Sequence, residues 1–359
     1  MTKIIDITAP KDERGNDPND FRGDPHYREK LDQAEAQTRQ PNMDWINRFT
    51  LSAQEIEELS DPEWLYENLI IRSHLIAIPA RPNAGKTTIC MYVAGVLAER
   101  CNVVYVNADV GGGDIKALQA LADDKGFRLM LPDMKDGLSM DDVVDKVGAM
   151  NEISADYSEY IFFFDTLKKM TDVINKASAK KLYKTLRGLT AKGMTIVLLA
   201  HTNKYSDADG KPIYEGTGDL RSDVDDLIYL IPRENEDGSL TVSTDPLADT
   251  AKRRGNHQPI TFHISPDRQV SPASYVDTAA MAQAQQDREK DAPVIEAITE
   301  AIQAGHSKQI AITNYCRDEH GIGWRTVTNT LNHYLRGPIV LWYRDKGFEK
   351  NTWLYRLTE

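Results

Sequence analysis

Ala80-Arg81-Pro82-Asn83-Ala84-Gly85-Lys86-Thr87-Thr88 is a loop of mostly small residues between two apolar segments of different period. Before it, Leu75, Ile76, Ala77 and Ile78 form an unbroken apolar run, the pattern of a strand buried on both faces. After it, Ile89, Cys90, Met91, Val93 and Val96 keep to one side of a helix. Strand, loop and helix in that order turn a G-x-x-x-x-G-K-[ST] pattern into an expectation of phosphate binding. Backbone N–H groups of the loop and of the helix N-terminus would face the phosphates, where the helix dipole also favours negative charge. Gly85 lets the backbone turn sharply, Lys86 supplies a point charge, and the Thr87 hydroxyl is placed to ligate Mg²⁺, so ATP and Mg²⁺ are the expected cofactors. The leading glycine of the pattern is Ala80, which is tolerable where φ stays negative.

A second element completes this site. Tyr160-Ile161-Phe162-Phe163-Phe164-Asp165 is an apolar run closed by an acid, about 75 residues after the loop in alternating strand-helix order. This Walker B pattern gives Asp165 the Mg²⁺ shell, directly or through water. Between the two lies Val103 to Asn107, a short buried strand ending in Ala108-Asp109-Val110-Gly111. Helices are expected from about 114 to 124, within 140–153 and over 177–191, and a further strand over 195–200 runs into His201-Thr202-Asn203-Lys204. Polar groups at such a strand end sit where open α/β sheets bind ligands. The segment 205–218 reads as a mobile loop, and 227–231, 240–243 and 260–263 as short strands that finish the sheet, with Lys252-Arg253-Arg254 between the last two.

The fold class is therefore α/β, with a P-loop core on a mostly parallel sheet and a small carboxy-terminal domain. The expected domains are an acidic flexible arm (1–48), an ATPase domain (49–271), an Ala/Gln-rich, partly helical linker (272–291) and a carboxy-terminal unit (292–359). Ser52-Ala53-Gln54-Glu55 looks like a capping box opening the first helix. Trp64 has two readings, a lid over the nucleotide edge of the sheet or a plain hydrophobic anchor. In the last unit, Val294, Ile295, Ile298 and Ile302 keep helical spacing, Ile310 to Cys316 makes a second helix, and Val327, Leu331 and Leu335 define a third. Ile339 to Tyr343 and Thr352 to Leu357 read as two strands joined at Asp345-Lys346-Gly347. Three helices and a ribbon make a winged helix. Arg325, Thr328, Asn329, Asn332, His333 and Arg336 fall off its apolar stripe and form the candidate DNA-reading face.

Composition limits these readings. A length of 359 residues suggests two or three domains, and 41% hydrophobic content suffices for a core. No apolar run approaches a membrane span, and Cys90, Cys101 and Cys316 show no CxxC spacing, which fits a cytoplasmic protein without a disulfide framework. The net charge of −12 works against nucleic-acid binding by the whole surface. It is unevenly spread: residues 1–60 carry 13 acidic and 8 basic side chains, residues 292–359 carry 7 and 8. Nucleic acid would be met locally, in a ring channel or by the carboxy-terminal unit.

The order of motifs resembles the RecA-type ring ATPases, most closely the RepA-type branch of replicative helicases of plasmids and other mobile elements, with DnaB-type helicases as cousins. The resemblance covers residues 50–265 and rests on Ala80 to Thr88, Phe162 to Asp165 and Ala200 to Lys204. It implies that Asp109, where the family has Glu, is the general base that orients the attacking water. It further implies that His201, Thr202 and Asn203 sense the γ-phosphate, and that Lys252 and Arg254 are fingers inserted into a neighbour's site. It implies a homo-oligomer, a hexamer, working on DNA with replication partners. Three functions remain open at this point: a DNA translocase or helicase, a non-unwinding RecA-like loader or regulator, and an ATP-switched protein scaffold. The loop 205–218 holds Lys211 against Asp207, Asp209 and Glu215, a poor electrostatic funnel for the first of these.

Overall fold

The computed structural model describes residues 26, 29, 43–57, 61–111, 113–134, 137–203, 213–216, 219–248, 251–347 and 353–358. By contacts the chain divides into two compact units, Met1–Asp61 and Pro62–Glu359. In the first, a 3-10 turn (Asp44–Arg48) precedes α1 (Ala53–Glu57). The expected capping box is present: the Ser52 hydroxyl accepts from the Glu55 N–H, and the Glu55 carboxylate accepts from the Ser52 N–H. Most of the expected arm lies outside the described residues, and the boundary falls at Asp61 where the sequence placed it at residue 48.

The larger unit begins with a hairpin of β1 (Trp64–Tyr66) and β2 (Ile70–Ile71). There follow β3 (Leu75–Ala80), α2 (Lys86–Ala98), β4 (Asn102–Asn107), α3 (Ile115–Lys125), β5 (Arg128–Met130), α4 (Met140–Glu152) and β6 (Tyr160–Asp165). Next come α5 (Leu167–Met170), α6 (Lys176–Thr190), β7 (Thr195–His201), α7 (Asp219–Asp223) and β8 (Asp226–Leu227). Strands β5-β4-β6-β7-β3-β8 form one six-stranded sheet whose pairs are all parallel. The α/β class with a mostly parallel sheet, expected from the motif order, is the class found, with β7 between the phosphate-loop strand β3 and the Asp165 strand β6.

The unbroken apolar runs follow from burial on both faces. Alternate residues divide between two cores. Leu75, Ala77, Val104, Phe162, Phe164, Ile196 and Leu198 pack under α4 and α6, against Val143, Val147, Leu182 and Leu186. Ile76, Ile78, Tyr105, Phe163, Val197 and Leu199 face the other way, toward Ile89, Val93 and Leu97 of α2.

The run 227–231, expected to be one strand, is two. After β8 the chain leaves the parallel sheet and starts β9 (Tyr229–Glu234), which joins β10 (Leu240–Asp245), β11 (Thr261–Ile264) and β12 (Val270–Ala273) in an antiparallel sheet ordered β12-β11-β10-β9. Both halves of the run are buried, so hydropathy alone carried no mark of the switch. Val242, Phe262 and Ile264 of this second sheet complete the core over α2.

The sheet thus extends past residue 271 to Ala273, into the expected linker, and most of the rest of that linker is a docked helix. In α8 (Thr278–Lys290) the Asp277 side chain caps the Ala280 N–H, and the Thr278 hydroxyl donates to the Ile231 carbonyl at 2.7 Å. Beyond it, α9 (Ala292–Gln303), α10 (Gln309–His320), α11 (Trp324–His333) and the antiparallel pair β13 (Trp342–Lys346) and β14 (Trp353–Leu357) surround a core of their own, which includes Ile298, Ile312, Val327, Leu331, Trp342 and Tyr355. The expected turn at Asp345-Lys346-Gly347 is corrected. Asp345 and Lys346 belong to β13, paired with Leu354 and Trp353. The third helix is likewise shorter than its apolar stripe: it stops at His333, and Leu335 packs from the segment that follows.

Candidate nucleotide-binding site

The carboxyl ends of β3, β6 and β7 meet at one edge of the parallel sheet, and the phosphate loop, Asp165 and His201 are the residues found there. Ala80 closes β3 in extended, fully buried conformation, so a glycine is not required. Gly85 at the helix N-cap has φ +76°, and a Cβ there would run into Ile264 Cδ1, which makes this position glycine's for two independent reasons. Asn83 shares the left-handed conformation, with φ +61°. Arg81, Pro82 and Asn83 are exposed, Ala84 is buried, and Thr87 and Thr88 are half-buried at the helix start.

Lys86 is 7% exposed, and its ammonium donates to the Ala200 carbonyl at 3.3 Å. Burial pushes its pKa down, and the nearby Asp165 carboxylate counters that effect. The Thr87 hydroxyl donates to Asp165 Oδ2 at 2.6 Å, and the Tyr105 hydroxyl donates to the same oxygen at 3.0 Å. Burial raises the Asp165 carboxyl above its ordinary range, while Thr87 and Lys86 pull it back toward the ionised form. A hydroxyl and a carboxylate in direct contact are the hard-oxygen donors that suit Mg²⁺, which takes few protein ligands and the rest from phosphates and water. The residues present fit that ion: Thr87 and Asp165 would hold it, and it would supply charge neutralisation on the phosphate oxygens. Among the described residues no group of three or more His, Cys, Asp and Glu could hold a metal by itself.

In sequence Tyr105 is one residue of a buried strand, and its hydroxyl, the one such group in the run 103–106, is the available signal for anything more. Replacing it by phenylalanine leaves its stacking on Phe163 (centroids 5.5 Å apart) but removes one of two donors to a buried carboxylate oxygen. Tyr105→Phe is expected to lower stability by about 1–3 kcal/mol. Urea denaturation measures it, and an unchanged midpoint would contradict the assigned bond.

Asp109 follows β4 in an exposed turn, where its N–H bonds to Asn107 Oδ1 at 3.0 Å, and its charge acts on Lys86, Asp165 and His201. His201 ends β7 in register with Ala80. Its Nδ1 is buried without a hydrogen-bond partner among the described residues, and burial, then Lys86, lower its pKa. Thr202 donates through its N–H to the Ala80 carbonyl at 3.1 Å, and Asn203 through its N–H to the Ile213 carbonyl at 2.7 Å. Residues 213–216 return along the end of β7 and carry Glu215 to Lys168 on α5, 2.8 Å away. The sequence marked Glu215 as an acid of the candidate channel loop, but nothing there marked Lys168 as its partner. The rest of the expected mobile loop, with Lys204, lies outside the described residues.

Lys252 and Arg254 are not brought to this edge. Lys252 pairs through its backbone with Leu227, and its ammonium donates to the carbonyls of Ser222 and Val224 at 2.8 and 2.5 Å. The Arg254 N–H donates to Asp226, the register partner of Ile76, four residues before Ala80. That is on the order of 13 Å along the strand from the chain's own phosphate loop. Arg253 turns to the His257 carbonyl at 3.2 Å. Trp64 packs edge-on against His257 with ring centroids 4.8 Å apart, so the anchor reading of Trp64 is the one found.

Of the candidate DNA-reading residues, Arg325, Asn329, Asn332, His333 and Arg336 are exposed, and Thr328 is half-buried, its hydroxyl accepting from Gln309 at 3.2 Å. His333 lies 3.9 Å from Asp287 on α8. No helix among the described residues is long and apolar enough to cross a membrane.

Residues 43–207 match the protein family described as the AAA domain, a span that contains the phosphate loop, Asp109, Asp165 and His201. No curated protein matches the chain. Among solved structures, it is similar to the flagellar accessory protein FlaH from Methanocaldococcus jannaschii, with 17% identity over 57% of this chain and 92% of that one, at a TM-score of 0.39. It is also similar to the RadB recombinase (16% identity, 57% and 93% covered, TM-score 0.40) and to a further structure described as an ATPase domain (14% identity, 55% and 82% covered, TM-score 0.38). The family match and the site geometry together support a P-loop ATPase core.

Proposed function

We propose that the protein hydrolyses ATP as an oligomeric, RecA-like motor on DNA, a translocase or helicase of the RepA type serving replication of a plasmid, phage or other mobile element. The observation that carries the ATPase reading is the contact of Thr87 with Asp165 beside the buried Lys86 ammonium. Lys86 and the loop N–H groups bind the β- and γ-phosphates, Asp109 orients the attacking water, and His201, Thr202 and Asn203 respond to the γ-phosphate. His201 suits that task, because a buried ring nitrogen without a partner at this edge is ready to accept one.

The oligomer reading is supported by the place of Lys252 and Arg254. They lie away from their own phosphate loop, so a role in catalysis requires the site of a second copy, in a hexamer by resemblance. The exposed face of α11 supports DNA contact by a winged helix. One observation favours a non-unwinding loader or regulator: Glu215, the described acid of the candidate channel loop, neutralises Lys168 and adds no basic surface. A strand-displacement assay on forked DNA with ATP and Mg²⁺ separates the two. Unwinding supports the motor, whereas DNA-stimulated hydrolysis without displacement moves the reading to the loader.

A further inference from the structure

Beneath the β8 edge lie two adjacent buried carboxylates that the nucleotide site does not use. Asp226 is fully buried. His74 Nδ1 lies 2.6 Å from its Oδ2, His257 Nε2 lies 3.0 Å from its Oδ1, and the Arg254 N–H donates to Oδ1 at 2.7 Å. Burial would raise its pKa, but these partners hold it well below the usual carboxylate range. Asp225, with a side chain 4% exposed, accepts the Leu75 N–H at 3.0 Å and the Arg187 guanidinium of α6 at 2.5 Å through one oxygen. Its other oxygen takes Arg254 Nη1 at 3.0 Å. The Arg254 side chain is 57% exposed. Arg254 is therefore held at both ends, its backbone by Asp226 and its guanidinium by Asp225, while more than half of the side chain faces out.

We propose that Asp225 is a positioning residue for Arg254, holding in one place the largely exposed side chain whose guanidinium a neighbouring subunit's γ-phosphate would meet. This rests on the reading of Arg254 as a finger acting in trans. A long, exposed arginine loses much rotamer freedom when placed in a second site. A carboxylate anchored by Arg187 and by the first N–H of β3 removes part of that loss beforehand. A misaimed guanidinium costs turnover more than nucleotide affinity.

Subunit mixing tests it. A Lys86→Ala chain has a dead site and an intact Arg254, and an Arg254→Ala chain has the reverse. Mixing the two restores ATP turnover at the interfaces that join an intact site to an intact finger. Adding Asp225→Asn to the Lys86→Ala donor is expected to reduce that restored turnover by about 10- to 100-fold with KM for ATP little changed. The same substitution in the Arg254→Ala acceptor is expected to cost far less, since that chain supplies no finger. A purely structural role would lower both alike and would overturn the proposal, as would a donor unaffected by Asp225→Asn while the parent pair still complements. Failure of the parent pair to complement would instead remove the trans reading itself. Thermal melts check folding of each variant. Should Asp225→Asn not fold, Asp225→Glu in the donor keeps the charge and moves the guanidinium. It should lower kcat without KM, and unchanged kcat would sink the proposal.

Discussion

Replacing Lys86 by alanine is expected to reduce ATP hydrolysis by at least about 10²–10³-fold, the loss seen when a preorganised electrostatic group is removed from a site of this kind. The ammonium is 7% exposed and bonded to the Ala200 carbonyl, so its charge acts from a largely desolvated position. Its second effect is on Asp165. Lys86 is among the groups that oppose the upward push of burial on that carboxyl. Without it one of the groups that hold Asp165 toward its ionised form is gone, while the point charge that meets the phosphates is lost outright. Stopped hydrolysis in a folded Lys86→Ala protein, with ATP affinity also reduced, is the expected pattern. Retained turnover would mean that the loop is not the phosphate site.

Arg254→Ala should give a different pattern. Trans-acting arginines contribute about 10³–10⁵ in rate, and the residue lies on the order of 13 Å along β3 from its own phosphate loop. Turnover should collapse while a fluorescent ATP analogue still binds with near-native affinity, because Lys86, Thr87 and Asp165 are untouched. Normal turnover in this variant would remove the finger assignment. Lys252 presents a contrasting case. Its ammonium holds the carbonyls of Ser222 and Val224 at the end of α7, and burial lowers its pKa. Loss of Lys252 should therefore perturb local structure as well as any contact in trans.

The half of the site that was legible in sequence is the half made by contiguous residues. Ala80 to Thr88 is one loop, and Tyr160 to Asp165 is one strand with its acid at the end, so spacing and hydropathy suffice to place them. The contacts that unite the site are between segments distant in sequence. Tyr105 meets Asp165 because β4 and β6 are neighbours in register, with Tyr105 opposite Phe163. Glu215 meets Lys168 because a return segment bonds to the end of β7. Apart from its hydroxyl, nothing in local pattern distinguishes Tyr105 from an ordinary core aromatic. The same holds for the Asp225-Asp226 pair, which looks like a polar connection until the edge strand puts both carboxylates under the sheet with His74, Arg187 and His257. The break between β8 and β9 was invisible because both sides are equally apolar. The helix in the linker was half-visible, since its composition is helical but its docking through Thr278 is a tertiary fact.

The central claim, a nucleic-acid-driven ATPase completed between subunits, is tested most directly by the ATPase rate per subunit as protein concentration rises, with and without single-stranded DNA, at two salt concentrations. A rate that climbs with concentration and again with DNA, the DNA effect shrinking at higher salt, is the expected result. A rate per subunit that is flat in concentration and indifferent to DNA would contradict the claim and favour an ATP-switched scaffold.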